Sequence, residues 1–369
     1  MKITILSHNL SSNASMRAHR LALAAQHFAE VKLIGPVESS GLWPALPAAD
    51  WIHSVPECRF PKFASSFVQL AEMCDGDVLI AVKPQLGSFG AALVAAERWP
   101  KPVILDLDDL DTAFSPREEW ESKPGMADLH RPASAVFVSL LTRATGAAQA
   151  ITVSSTALQK RFGGTVLHQG CDTRLFDPTR IDREAARREF GFKGPTILFV
   201  GTPRWHKGMK PLAKAVAEIP GARLAVASRD KEFAEGDWSR YPVDPVPMLP
   251  YTDVPRLIAA ADVLAIPQLD TEVSHFQMPM KAYDCMAMGV PIVASAISDL
   301  PQLLDGCARL VPPGDVAVLA GALRETLEQP EASRAMAAKA RARCLENYTM
   351  AHVGATLREV INKVAPGLK

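Results

Sequence analysis

The chain has 369 residues, 48% of them hydrophobic, and its 40 basic side chains balance 40 acidic ones. Such a length exceeds what one core fills, so two domains are expected, and the missing net charge removes the electrostatic case for nucleic acid as a partner. The six cysteines include no CxxC pair and read as reduced thiols of a cytoplasmic protein, and no run approaches the roughly 20 apolar residues of a membrane helix.

Apolar runs with a strand's composition alternate with Ala-rich helical stretches almost throughout. In the first half they occupy 2–7, 30–35, 77–82, 102–107 and 150–155, and in the second 196–201, 223–228, 263–268 and 291–296. This is the pattern of parallel sheets covered on both faces, so the expected fold class is α/β, with two Rossmann-like doubly wound domains in tandem. The alternation lapses near Asp172 to Pro178. The expected division is therefore 1–175, 176–345, and a C-terminal helix in 346–369 that returns to the first domain. Between Trp43 and Phe67, Pro44, Pro47, Pro56 and Pro61 exclude a long helix. The aromatic residues there, with Arg59 and Lys62, leave two readings open, local packing and peripheral contact with the inner face of a membrane.

Ligands of open parallel sheets gather at the carboxyl ends of the strands, and two such sheets place the expected site in a cleft between them. In "FVGTPRWHKGMKPLAKAV" a strand ends at Gly201, and a loop carries Arg204, His206 and Lys207. Gly208 then lets the backbone pass close to a ligand before a helix begins. Two cations at a helix N-terminus suit a phosphate, with His206 between them; a solvated loop is the plainer alternative. In the first half, "SHNLSSNAS" supplies small residues for close approach, and His8, Ser12 and Asn13 are candidates to face an acceptor, as is His19 just beyond. Asp106, Asp108 and Asp109 are spaced like a carboxylate motif for Mg²⁺ or Mn²⁺. Successive strand residues point to opposite faces, however, so no metal is expected and carboxylates that contact sugar or solvent are preferred.

The stretch "PMKAYDCMAMGVPIVAS" predicts a short helix, closed by Gly289 and Pro291, that presents Lys281 and Asp284 on one face ahead of a buried strand. Pro279, Lys281, Asp284, Met286, Ala287, Gly289 and Pro291 resemble the signature of the retaining nucleotide-sugar glycosyltransferases of the GT-B fold, family four (glycosyltransferase group 1). "VLHQGCDTRLFDP" looks like that family's interdomain passage, and "FVGTPRWHKG" is similar to its phosphate loop, with the arginine two positions late. The resemblance spans roughly residues 165 to 350 and is weaker before them. It implies that Asp284 holds the donor ribose, one methylene shorter than the usual glutamate, and that Lys281, Gly201 and His206 line the donor site with Leu249 and Tyr251 toward the base. The family's second glutamate is replaced by Phe276. Two readings stay open there: Glu272 or Asp270 substitutes for it, or the stretch that carries Glu272, His275, Phe276 and Gln277 meets the transferred sugar through backbone amides.

The implied catalytic residues are Arg204 and Lys207 on the leaving diphosphate and Asp108 where relatives carry a sugar-facing histidine; Asp109 matches an aspartate on the acceptor side. The implied reaction moves a sugar with retention from a nucleotide-diphosphate donor to a carbohydrate or lipid-linked hydroxyl acceptor. It uses no cofactor beyond that co-substrate, and the departing phosphate oxygen acts as base. Two alternatives stay open, a sugar-nucleotide epimerase of the same architecture and a noncatalytic subunit that binds nucleotide sugar. A nicotinamide-dependent dehydrogenase is disfavoured because the first strand meets no GxGxxG.

Overall fold

Strand β4 (Val78–Val82) is buried at every position, which marks it as the middle of a sheet covered on both faces. The computed structural model describes residues 1–114, 128–228 and 238–368. These form two units, Met1–Gln169 with Met350–Lys369, and Gly170–Thr349. In the first unit β1 (Lys2–Ser7), β2 (Glu30–Val37), β3 (Ile52–Pro56), β4, β5 (Val103–Leu107), β6 (Ala150–Val153) and β7 (Thr165–Val166) form a sheet ordered β3-β2-β1-β4-β5-β6-β7. In the second, β8 (Thr196–Val200), β9 (Arg223–Ala227), β10 (Val243–Val246), β11 (Val263–Ile266), β12 (Ile292–Ser295) and β13 (Arg309–Val311) are ordered β10-β9-β8-β11-β12-β13. All the pairings are parallel. The strand order reverses between β1 and β4 in one unit and between β8 and β11 in the other. Those two crevices are where a doubly wound sheet receives a ligand.

The nine expected strands are the interior ones, and the four beyond them, β3, β7, β10 and β13, are the four sheet edges. Pro56 closes β3 and Pro245 lies within β10, as an edge permits, because a proline there leaves no neighbour without its amide donor. The Pro-rich stretch after Trp43 thus holds an edge strand as well as loops. Its aromatic side chains pack within the first unit: Trp51 stacks on His19 at 5.6 Å, and Phe60 lies 5.4 Å from Phe63 and 5.9 Å from Phe137. No helix among the described residues is long and apolar enough to cross a membrane.

Hydrophobic side chains from both faces fill the second unit. Ile197, Phe199, Leu224 and Val263 from the sheet and Leu212 and Val216 from the helix Met209–Ala217 belong to one buried cluster, and each such burial stabilises by about 1.5–3 kcal/mol. The predicted helix runs from Met280 to Met288 and ends at Gly289 with φ +62°, the left-handed closure that glycine permits. In the first unit the last helix, Met350–Val364, crosses the helix Ser15–Ala25 so closely that a Cβ on Gly354 would stand 2.4 Å from the Ala24 carbonyl oxygen.

A buried ion pair joins three parts of the first unit. The Arg17 guanidinium donates from Nε and Nη2 to the two Asp106 carboxylate oxygens, both at 2.8 Å, and to the carbonyls of Leu167 at 2.9 Å and His168 at 3.0 Å. Thr152 Oγ1 donates to the same carboxylate at 2.7 Å. Both charged side chains are fully buried. The paired geometry and the extra donors offset the desolvation that makes such pairs expensive.

Candidate functional site

The segment leaving β8 builds the crevice of the second unit. The chain departs the strand through Gly201 (φ +113°), makes one turn of 3₁₀ helix at Trp205–Lys207, and reaches Gly208 (φ +65°) at the head of the helix Met209–Ala217. A Cβ on Gly208 would lie 1.8 Å from the Pro267 carbonyl oxygen just past β11, so this crossing admits only glycine. The loop is pinned where the Leu269 amide donates to the His206 carbonyl at 2.9 Å. Lys207 projects from it, and its ammonium donates to Gln277 Oε1.

Lys281 approaches the same spot from its helix, with Nζ 3.6 Å from the centroid of the Phe199 ring and 3.7 Å from where a Gly201 Cβ would stand. Two lysines therefore converge at the carboxyl end of β8. Lys281 is half-buried; desolvation, and after it the charge of Lys207, lowers its pKa from the usual lysine value, while Cys285 opposes this. Asp284 lies further along the same helix and is 6% exposed.

The other expected donor residues are placed differently from one another. Arg204 is half-buried beside the exposed Trp205, whereas the His206 side chain is fully enclosed beneath the loop, edge-on to that tryptophan at 5.3 Å, and not on its outer face. Glu272 and His275 are exposed on the short helix Glu272–Phe276, where His275 Nε2 lies 2.7 Å from Asp270 Oδ1. Phe276, Gln277 and Leu249 are half-buried, and Tyr251 is buried against Phe176 at 5.3 Å. The sequence reading missed Gln268, directly beyond β11. It is 1% exposed and its amide has no hydrogen-bond partner among the described residues.

In the first unit the reversal point is occupied by a residue that sequence reasoning also missed. Lys83 comes directly after β4 with φ +71°, and its buried ammonium lies 2.8 Å from Asp108, 2.8 Å from Asp109 and 3.5 Å from Asp111. Gln85 Nε2 donates to Asp111 at 3.2 Å. Burial, opposed by Lys83 and reinforced by the neighbouring aspartates, lifts Asp108 to about 7. The same lysine helps burial depress His8 to about 3, so that imidazole is neutral at physiological pH. The available signal was positional: a lone lysine ending an apolar strand that faces an acidic strand end. Ser12 and Asn13 are half-buried in the loop before the helix Ser15–Ala25, and their carbonyls accept from the Ser15 and Met16 amides at 3.1 and 3.2 Å. His19, beyond that loop, lies within the helix and stacks on Trp51. Asp106, the first of the three carboxylates spaced like a metal motif, is held by Arg17.

Residues 194–329 match the family described as Glycosyl transferases group 1. The chain is 28% identical over 298 residues to an MMP alpha-(1->4)-mannosyltransferase of Mycolicibacterium hassiacum, an overlap of 76% of this chain and 67% of that one. It is 31% identical over 216 residues to a D-inositol 3-phosphate glycosyltransferase of Mycobacterium marinum, covering 53% of this chain and 45% of the relative. Among solved structures, Anabaena HepE in complex with UDP and glucose superimposes with a TM-score of 0.73 at 17% identity, over 98% of this chain and 100% of the other.

Proposed function

We propose that this chain, a GT-B glycosyltransferase whose residues 194–329 belong to the group 1 family, transfers a sugar from a nucleoside diphosphate to a hydroxyl acceptor with retention of the anomeric configuration. The observation that carries the donor class is the meeting of Lys207 and Lys281 at the reversal point between β8 and β11, under a loop whose Gly208 passes within contact of Pro267. Fixed cations there lower the cost of the charge that develops as a diphosphate departs, commonly the largest single catalytic contribution. Arg204, on the same loop, adds a guanidinium suited to bidentate phosphate contact. Asp284 holds the ribose hydroxyls as a charged acceptor. The Anabaena HepE structure, similar in fold, holds UDP and glucose, which supports this class without naming the base or sugar here.

The first unit supplies the acceptor side, with His8 and the aspartates around Lys83 at its reversal point. No divalent ion enters this scheme. Asp106 is engaged by Arg17, Asp108 and Asp109 are engaged by Lys83, and the lysines of the second unit answer the diphosphate. The leaving phosphate oxygen takes the acceptor proton on the face from which it departs, which yields retention.

The test is product stereochemistry in the presence of a chelator. With an α-linked donor, NMR of the purified product is expected to show an α linkage, at a rate unchanged by EDTA. A β product overturns retention. Activity abolished by EDTA and restored by Mn²⁺ overturns the metal-free scheme.

A further inference from the structure

We infer that a small pocket in the first unit, walled by His8, Glu57 and Gln85, is a subsite that reads one hydroxyl group of the acceptor, other than the hydroxyl that takes the sugar. The inference rests on the acceptor-side reading under Proposed function and adds the class of group that side admits. His8 directly follows β1, Glu57 directly follows β3, and Gln85 comes two residues after the Lys83 that follows β4. With Pro36 of β2 the pocket therefore lies at the carboxyl ends of four adjacent strands, where a doubly wound sheet receives its ligands. Phe63 and Pro132 complete its apolar wall.

Each of the three polar side chains that line the pocket holds a buried atom with no hydrogen-bond partner among the described residues: His8 Nδ1, Glu57 Oε2 and Gln85 Oε1. Gln85 is 8% exposed, and its amide is oriented, because Nε2 donates to Asp111 Oδ1 at 3.2 Å. A carboxylate oxygen takes that bond only from the nitrogen, which leaves Oε1 as the unfilled acceptor. Buried polar atoms are nearly always paired, so three unpaired ones around one space require a group that supplies their bonds.

The space decides what that group is. It leaves about 10 Å³ to the centre of a water-sized body, room for one oxygen and not for a phosphate or a sugar ring. The two acceptor oxygens need a donor, and His8 gives or takes a hydrogen according to its tautomer; a hydroxyl donates one bond and accepts others, so it answers both. No lysine or arginine among the described residues lines the pocket. The nearby Lys83 ammonium is engaged by Asp108, Asp109 and Asp111, so a phosphate ester finds no cation there. The walls are set before anything binds. A Cβ on Gly87 would stand 2.9 Å from the His8 carbonyl oxygen, and Ser88 Oγ donates to the Lys83 carbonyl at 2.7 Å; a site so held needs little ordering when it is filled.

The experiment is saturation-transfer NMR on the full chain with UDP or GDP present. Its probes are methyl α-mannoside, methyl α-glucoside and myo-inositol, each with its single-position deoxy analogues and phosphate esters. For a probe that wild type binds, loss of one particular hydroxyl is expected to weaken binding about tenfold or more, and a phosphate ester at that position to abolish it. Glu57→Leu and Gln85→Leu are each expected to weaken the parent probe about tenfold and to lose nothing further with that deoxy analogue, while Glu57→Gln, which keeps an acceptor oxygen, stays within about threefold of wild type. Nucleotide affinity is the control for folding in all three. Leucine variants that bind the parent probe as wild type does, or that keep the full deoxy penalty, show a pocket that holds water only; either result overturns this inference and leaves the acceptor side standing. If folded wild type binds nucleotide and none of the probes, the acceptor-side reading falls and this inference falls with it.

Discussion

The two reversal points share a position in their sheets and differ in how they manage charge. In the first unit two buried cations are answered from within: Lys83 at the reversal point by three aspartates, and Arg17 nearby by Asp106. In the second, Lys281 is answered by an aromatic ring, and its charged neighbour is another lysine. The first arrangement holds its parts in place before anything binds. The second leaves Lys281 with no ion-paired carboxylate among the described residues, which suits the anion proposed above. A fold that repeats its architecture can thus assign rigidity to one half and affinity to the other by choosing which strand ends carry carboxylates.

The comparison breaks most visibly if the closed network is opened. Replacing Arg17 by alanine leaves Asp106 charged and buried, and a loss of about 3–5 kcal/mol in unfolding free energy is expected from denaturant titration; a loss under about 1 kcal/mol would show that the network is not what braces the first unit. At the second point the expected loss is in rate. Arg204→Ala and Lys207→Ala should each lower turnover by about a hundredfold or more while the fold melts normally, and unchanged kinetics in both would remove the phosphate assignment.

A smaller effect is expected at Asp284→Asn, which should weaken donor binding by about 1.5–3 kcal/mol, because the ribose hydroxyls lose a charged acceptor. Intact donor affinity with weakened acceptor affinity would move that carboxylate out of the nucleotide site. The smallest effect is a slope. Because Asp108 is lifted to about 7, the folded chain retains a proton that the unfolded chain has lost. Asp108 therefore contributes stability that is fully present below its unfolded value and is lost as pH climbs through about 7. Chemical unfolding of Asp108→Asn and wild type from about pH 4 to pH 8 should show the variant gaining on wild type, with a plateau above that range; parallel curves would contradict the raised value.

Legibility in the sequence tracks where hydrophobicity is continuous. Interior strands such as "DVLIAV" are buried on both faces and announce themselves as apolar runs, whereas "VDPV" in β10 and "IHSVP" in β3 lie at edges, where one partner is missing and proline is tolerated. The helix of Lys281 and Asp284 was readable because Gly289 and Pro291 mark its end. Arg17 was not: within "SMRAHRLALAA" an arginine reads as solvent-facing, and only the pairing of β5 with β6 brings Asp106 and Thr152 under it. Lys83 escaped for a similar reason, since its three carboxylates come from a strand end more than twenty residues away. His206 shows the opposite limit. Its place between two cations suggested a ligand contact, and the turn at Trp205–Lys207 rotates it inward, where its side chain is fully enclosed.

The seating of Gly354 against Ala24 also governs the order in which the chain can fold as it is synthesised. The helix that packs on Ser15–Ala25 is encoded after the whole of Gly170–Thr349. A ribosome therefore delivers every residue of the second unit before it delivers the last piece of the first. Domains fold as units during translation, so the half begun first is the half finished last. Until residues 350–364 emerge, one flank of the Ser15–Ala25 helix stays exposed to whatever chaperone or neighbouring nascent chain is at hand.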